Sequence, residues 1–115
     1  MMIMDGINIY PAEIEDVITR HTAVEDAAVM PMRHAIHQDI PTCAVVLSKD
    51  AKVSNKELID FMYKRLGSRS PREIFILDYI PRNEQGKVIR PELSKILSIK
   101  LDIKREQVKN DFAYV

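Results

Sequence analysis

One stretch of the sequence has both ends of a helix marked, and it limits the folds open to the chain. Ser54 is followed three residues later by Glu57, the S-x-x-E pattern of a capping box, and Gly67 stands where the helix should end. The apolar residues at helical spacing between these markers are Leu58, Ile59, Met62 and Leu66. Strand-like apolar runs precede and follow this segment, so the sequence predicts a mixed α+β fold.

Three apolar runs have the composition of β-strands. Ala23–Met32 and Thr42–Leu47 precede the capped helix, and Glu73–Tyr79 follows it. The last run is almost continuously apolar, which predicts a central strand that is buried on both faces. Residues 33–41, "RHAIHQDIP", are predicted to form the loop between the first two strands.

The first residues predict a short β-hairpin that leads into a helix. Asp5-Gly6 is a strong turn pair, and the flanking strands would be Met2–Met4 and Ile7–Tyr10. The next segment, Pro11–His21, opens with a proline, which suits the first position of a helix. Its acidic residues come early and its basic residues late, as the helix dipole favours.

The C-terminal part predicts a further helix and a tail. Pro91 starts this helix, and Leu93, Ile96 and Leu97 lie on its inward face. We assign residues 1–97 to one α+β domain, in which helices pack on a small sheet of about three main strands preceded by the short hairpin. Residues 98–115 are predicted to be a helical tail with no assigned role.

Composition and charge exclude several classes of function. The 115 residues include 17 Lys and Arg against 17 Asp and Glu, so no net positive charge would attract nucleic acid. The single cysteine, Cys43, suits a cytoplasmic protein and is expected to be a small buried hydrophobe. No apolar run approaches the roughly 20 residues of a membrane-spanning helix. The opening "MMIMDG" lacks the features of a signal peptide.

No complete active-site motif can be written from the sequence. The three glycines are scattered, so neither G-x-G-x-x-G nor a P-loop is present, and there is no G-x-S-x-G. His34 and His37 have a spacing that would allow a metal, but without a third ligand we predict no metal site and two solvated loop residues. The carboxylates of Glu13, Glu15 and Asp16 are interpreted as a solvated helix face.

The stretch Pro81–Arg90, "PRNEQGKVIR", contains the most suggestive basic residue. Lys87 follows Gly86 in a polar turn, from which a flexible ammonium can reach into a cleft and meet developing negative charge. From the pattern alone, an ordinary exposed loop lysine is the simpler interpretation. If Lys87 is catalytic, most of its active site lies on another polypeptide or has been cut away.

Two longer segments favour the catalytic interpretation of Lys87 over the ordinary loop lysine. They are "GINIYPAEIEDVITRHTAVEDAAV" and "PREIFILDYIPRNEQGKVIRPEL". Together they resemble the C-terminal domain of the adenylate-forming superfamily, which includes acyl-CoA synthetases, aryl-CoA ligases and the adenylation domains of peptide synthetases. The resemblance runs from about Ile3 to Leu97. It implies the mobile lid of an ATP-dependent acid–thiol ligase, of the kind used in fatty acid metabolism, which is not active alone.

The resemblance also implies a chemistry for particular residues. Such enzymes join a carboxylic acid to ATP, and then pass the acyl group to the thiol of coenzyme A or of a carrier's phosphopantetheine. A large N-terminal domain, acting in trans or missing from a fragment, would bind ATP with Mg and the acid. Lys87 would bridge the carboxylate and the nucleotide in the first step. The residues that would line the pantetheine channel in the second step are Gly6, Ile7, Asn8 and Ile9.

Several of these residues keep two interpretations. Gly6 either permits close approach of a ligand or only forms the hairpin turn, and Glu13 either orders its helix or contacts substrate. Gly86, Arg82 and Arg90 either meet phosphate or the larger domain, or face solvent. The alternative function is a non-catalytic module that docks on an acyl carrier protein or a synthetase. Such a module would bind its partner without restoring formation of the thioester.

Overall fold

Five strands and three α-helices make up the part of the chain that the computed structural model describes, residues 2–4, 6–34 and 38–113. In chain order they are β1 (Met2–Met4), β2 (Ile7–Ile9), α1 (Pro11–Ile18), β3 (Val24–His34), β4 (Gln38–Leu47), α2 (Asn55–Leu66), β5 (Glu73–Ile76) and α3 (Arg90–Ala113). A 3-10 turn, Gly67–Arg69, follows α2. The chain divides into two units, Met1–Ile80 and Pro81–Val115.

The strands of the first unit form two sheets. The larger sheet has the order β3-β4-β5, with β3 antiparallel and β5 parallel to β4. The smaller sheet is the hairpin of β1 and β2, in which Met4 pairs with Ile7 across a turn where Gly6 has a φ of +80°. These features confirm the α+β class and the predicted N-terminal hairpin.

The last strand is an edge strand, so the prediction that it is central was wrong. Among the described strands, β5 pairs with β4 alone, and it ends at Ile76 rather than at Tyr79. Its apolar run was misleading because the side chain of Ile76 is 37% exposed, although Ile74 is buried. The Nδ2 of Asn55 donates to the carbonyl of Ile74 at 3.1 Å and so covers part of the free edge.

The two long strands extend into the segment that was predicted to be a loop. β3 continues to His34 and β4 begins at Gln38, while residues 35–37 lie outside the described residues. Pro31 and Pro41 face each other in the ladder. Alternate pairs of antiparallel strands exchange no hydrogen bond, and a pair of prolines fits such a position because neither residue has an N–H to donate. The prolines therefore do not end the strands.

Carboxylates and a proline close the outer edge of β3. The N–H of Val29 donates to Glu15 Oε1 at 3.0 Å, and the N–H of Ala27 donates to Asp26 Oδ1 at 2.9 Å. Pro31, two positions further on, has no N–H. Since alternate residues of an edge strand turn their N–H groups outward, few donors remain for a strand of another molecule. Glu15 is thus half-buried and bonded to the sheet, so the prediction that it belongs to a solvated helix face was wrong.

Helix α1 ends three residues before the predicted end at His21. The hydroxyl of Thr19 donates to the carbonyl oxygens of Glu15 at 2.8 Å and Asp16 at 3.1 Å. A threonine hydroxyl that bonds to these carbonyls offers the backbone an alternative to further helix. Ile14, Val17 and Ile18, which recur at helical spacing, are all buried.

Helix α2 confirms both end markers that the sequence predicts. Ser54 Oγ accepts the N–H of Glu57 at 3.1 Å, which caps the first turn. Gly67, with a φ of +57°, follows the last helical residue. The core of the first unit joins the two helices to the sheet; its buried side chains include Ile9, Ile14, Ile18, Val29, Cys43, Val45, Leu58 and Met62.

Helix α3 runs without a break from Arg90 to Ala113, starting one residue before Pro91. Leu93, Leu97 and Leu101 recur at four-residue spacing and are all buried. The helix crosses the boundary after residue 97, and the assignment of separate roles on its two sides stays a prediction. None of the helices in the described ranges is both long and apolar enough to span a bilayer.

We expect Glu15→Ala to lower the free energy of unfolding by about 1–3 kcal/mol, because it leaves the N–H of Val29 without its acceptor. Glu15→Gln keeps an acceptor oxygen and should lose less. Asp16→Ala, which removes an exposed ion pair with Arg20, is the matched control and should cost under about 1 kcal/mol. Urea titrations of the three variants measure these differences. Equal losses for Glu15→Ala and Asp16→Ala would contradict the bond to β3.

The thiol of Cys43 is fully buried. Burial raises the pKa of this thiol far above its ordinary value, and the nearby Glu15 carboxylate raises it further. A neutral, inaccessible thiol should not react with iodoacetamide unless the protein unfolds. Because the pKa is raised in the folded state, the neutral thiol makes its whole contribution to the free energy of unfolding below the unfolded pKa of about 8.5. That contribution falls as the pH rises above this value.

We therefore predict that Cys43 in the native chain is alkylated only at the rate of unfolding, and that urea accelerates the reaction. The measurement is alkylation followed by mass spectrometry across a urea series. A cysteine introduced at the exposed position 68, Ser68→Cys, is the control and should react at once. Rapid alkylation of Cys43 without denaturant would show that the strand β4 is not buried as described.

Candidate functional site

The segment Pro81–Ile89 forms a small hairpin, called the Lys87 hairpin below. Its arms are joined by a hydrogen bond from the N–H of Ile89 to the carbonyl of Pro81 at 2.9 Å, and by an antiparallel bridge between Arg82 and Val88. Towards the tip, the N–H of Asn83 donates to the carbonyl of Lys87 at 2.8 Å. The predicted turn thus has a ladder of its own, within the second unit.

Asn83 organises the tip of the hairpin through its side chain. Asn83 Oδ1 accepts the N–H of Gln85 at 2.9 Å and the N–H of Lys87 at 3.0 Å. The carbonyl of Asn83 accepts the N–H of Gly86 at 2.9 Å, which closes the turn. This is the behaviour expected of an asparagine that replaces backbone partners in a turn. The sequence signal is an asparagine followed three residues later by glycine, which predicts a turn but does not specify these contacts.

Gly86 and Arg82 complete the turn. Gly86 has a φ of +83°, a region that residues with a Cβ rarely occupy. Arg82 Nη1 donates to the carbonyl of Gly86 at 2.7 Å, so the guanidinium braces the same turn. These two residues, predicted to contact phosphate or another domain, are brought together here by a structural bond. Arg90 is exposed at the first position of α3.

Lys87 is exposed at this tip, as are the five residues before it from Arg82 to Gly86. The residues that follow, Val88 and Ile89, are half-buried, and Pro81 at the other end is buried. The backbone of Lys87 is therefore fixed at both its N–H and its carbonyl, while its ammonium faces solvent. Such a side chain can be delivered to an anionic group outside this hairpin.

The predicted channel residues lie in the first unit. Gly6 and Asn8 are exposed, Ile7 is half-buried against the core, and Ile9 is fully buried within it. Asn8 pairs with Ile3, whose side chain is 59% exposed. A ligand that passes along this hairpin can therefore reach the side chain of Asn8 and the backbone at Gly6, whereas Ile9 has no exposed surface for it to contact.

Metal-ligating side chains do not cluster in the described residues, where no group of three or more His, Cys, Asp or Glu is placed to hold an ion. His37 lies outside the described residues, and only the backbone of His34 is described. The prediction about these two histidines therefore stays untested.

A long-range ion pair near the predicted channel has no counterpart among the sequence-based predictions. The guanidinium of Arg69 meets the carboxylate of Glu13 with a contact of 2.9 Å, although the two residues lie 56 positions apart. Glu13 thus has a partner in another element, in addition to its place in the first turn of α1. No local pattern in the sequence indicates this pair.

Comparison with known families gives one clear match. Residues 13–87 match the family described as the AMP-binding enzyme C-terminal domain. The matched segment ends on Lys87, and it begins shortly after the hairpin of β1 and β2. It covers most of the first unit together with the tip of the Lys87 hairpin.

Individual proteins show the same similarity. The chain is 37% identical over 98 residues to a 2-succinylbenzoate–CoA ligase of Bacillus mycoides, which is 84% of this chain and 20% of the ligase. Its fold resembles that of a fatty acyl-CoA synthetase of Mycobacterium tuberculosis, with a TM-score of 0.78 and 31% identity over 87% of this chain and 20% of that one. ATP-bound MatB from Rhodopseudomonas palustris gives a TM-score of 0.77 and 29% identity over 84% and 19%. The chain thus spans about a fifth of the length of the proteins it matches.

We predict that Asn83→Ala loosens the tip of the Lys87 hairpin without unfolding the chain. Two hydrogen bonds worth about 0.5–1.5 kcal/mol each are lost, so the amides of Gln85 and Lys87 should exchange with solvent roughly tenfold faster. Asn83→Asp keeps the acceptor oxygen and should exchange much as the wild type does. Amide exchange followed by NMR measures this. Unchanged exchange at Lys87 in the alanine variant would contradict the role of Asn83.

Proposed function

This chain belongs to the AMP-binding enzyme C-terminal domain family, and on that premise we propose that it is the lid portion of an acyl-CoA synthetase-type ligase. The complete enzyme would form an acyl-adenylate from a carboxylic acid and ATP, with Mg, and release pyrophosphate. It would then transfer the acyl group to the thiol of coenzyme A or phosphopantetheine, releasing AMP. The ATP-binding N-terminal domain is the partner of this chain, either in trans or within one longer polypeptide.

The observation that supports this proposal best is the exposure of Lys87 on an ordered turn. The reacting carboxylate and the α-phosphate are both anionic, so bringing them together needs a positive charge at the point where they meet. A lysine held at the tip of a self-contained hairpin supplies that charge with only its side chain left to order. Closure of the lid would also remove water from the active site and so strengthen the attraction between the ammonium and these two anionic groups.

The second half-reaction needs a different surface of the chain. We assign it to the turn at Gly6 and to Asn8, with the half-buried Ile7 beside them, while the fully buried Ile9 anchors the strand in the core. Gly6 has no side chain to block a narrow ligand, and a Cβ built there meets no atom within 4 Å. Arg82 and Arg90 are proposed to meet phosphate or the larger domain once the lid has closed. An acyl carrier protein, which bears phosphopantetheine, is the alternative to coenzyme A as the source of the thiol.

The test is a fusion enzyme in which this chain replaces the matching region of the Bacillus mycoides ligase. Lys87→Ala should slow formation of the acyl-adenylate by about 10²–10³-fold, the usual effect of removing one charge-stabilising donor. Thiolysis of an adenylate supplied ready-made should stay within about twofold of the unmodified fusion. Pyrophosphate release measures the first step, and thioester formation from added adenylate measures the second.

Lys95→Ala, which removes an exposed lysine of α3, is the matched control and should leave both steps unchanged. Normal adenylate formation by Lys87→Ala would show that the proposed role of this lysine is wrong. A fusion that binds its substrates but forms no thioester would instead favour the non-catalytic docking module.

A further inference from the structure

A forked ion pair joins the start of α1 to the turn that follows α2. Arg69 Nη2 lies 2.9 Å from Glu13 Oε1, and Arg69 Nη1 donates to Glu13 Oε2 at 3.2 Å. Two parallel contacts between a planar guanidinium and a carboxylate fix direction as well as distance. The side chains of the pair are 45% and 33% exposed, so solvent screens it less than a fully exposed pair.

The turn that presents Arg69 is itself firmly held. Gly67 begins it with a positive φ, and both the N–H and the hydroxyl of Ser70 donate to the carbonyl of Gly67, at 3.1 Å and 2.8 Å. Ser70 is only 3% exposed, so this end of the turn is anchored in the interior. Arg69 therefore reaches Glu13 from a rigid support rather than from a free loop.

The element at the other end of the pair needs such support. Tyr10 precedes α1 but gives no side-chain cap, so the first turn is held by the Tyr10 carbonyl, which accepts the N–H groups of Glu13 at 3.0 Å and Ile14 at 3.3 Å. Ile9, the last residue of β2, directly precedes Tyr10, and β2 also contacts the 3-10 turn. The position of β2 is thus linked to the pair through the first turn of α1.

We propose that Arg69, acting through Glu13, is a positioning residue for the thiol-transfer step. The pair holds the first turn of α1, and with it β2 and the turn at Gly6, in the geometry that the incoming thiol requires. This inference rests on the proposed function of that hairpin. Arg69 has no part in the adenylation step, because Lys87 is ordered by contacts within the second unit.

The chain offers a matched comparison on the same helix. Arg20 Nη2 lies 2.7 Å from Asp16 Oδ2, but this pair lies within and just beyond α1 and its side chains are 67% and 65% exposed. It joins α1 to no other element. Arg20→Gln changes the net charge of the chain as much as Arg69→Gln does, yet it leaves the link to the 3-10 turn intact.

The experiment uses the fusion enzyme with Arg69→Gln, Glu13→Gln, the two combined, Arg69→Lys, and the control Arg20→Gln. We expect the KM for coenzyme A to rise by about five- to tenfold in each single Gln variant, with adenylate formation within about twofold of the unmodified fusion, since small misplacements of a binding segment are costly. The double variant should be no worse than either single one, because both remove the same contact. Arg69→Lys, which keeps the charge but loses the fork, should recover part of the loss.

Several results would overturn the positioning role. They are additive losses in the double variant, an equal loss of both half-reactions, or a similar loss in Arg20→Gln. Urea titration of each variant identifies a mere loss of folding, which would lower both half-reactions together and so also count against the proposal. If the unmodified fusion forms no thioester from added adenylate, the proposed function itself is wrong, whatever the Arg69 variants show.

Discussion

The carboxamide of Asn83 makes the most side-chain hydrogen bonds to the turn that carries Lys87. Its oxygen accepts two backbone N–H groups within the tip of the hairpin, and the positive φ of Gly86 lets the chain close around it. If the lysine stood on a flexible loop, the backbone of that loop would lose conformational entropy whenever the lysine entered an active site. In this hairpin the backbone has lost that freedom on folding, so only the lysine side chain would remain to be ordered on the proposed closure of the lid.

The surfaces proposed for the two half-reactions belong to different units of the chain. The Lys87 hairpin is ordered by bonds within the second unit, and the hairpin of β1 and β2 is tied to the core of the first unit by Ile9. Each hairpin can therefore keep its local geometry when the proposed lid changes its orientation. That independence suits an enzyme in which one surface must leave the active site before the other is used.

Local signals in the sequence predicted the fold well, and contacts between distant residues explain what was missed. Ser54 and Gly67 marked α2 because caps and positive-φ glycines act over a few residues. The end of α1 was missed because the hydroxyl of Thr19 bonds back to the helix, a choice that residue type alone does not determine. The pair of Arg69 and Glu13 has no sequence signal at all, since it exists only once the fold has brought its two turns together.

The central claim is that Lys87 enters an active site formed outside its own hairpin. Its most direct test is the rate at which an amine-acylating reagent labels Lys87 in the fusion enzyme, with and without a stable acyl-adenylate analogue, measured by mass spectrometry against Lys95. We predict that the analogue protects Lys87 several-fold and leaves Lys95 unchanged. Equal labelling of Lys87 in the two states, with the analogue shown to be bound, would contradict the claim.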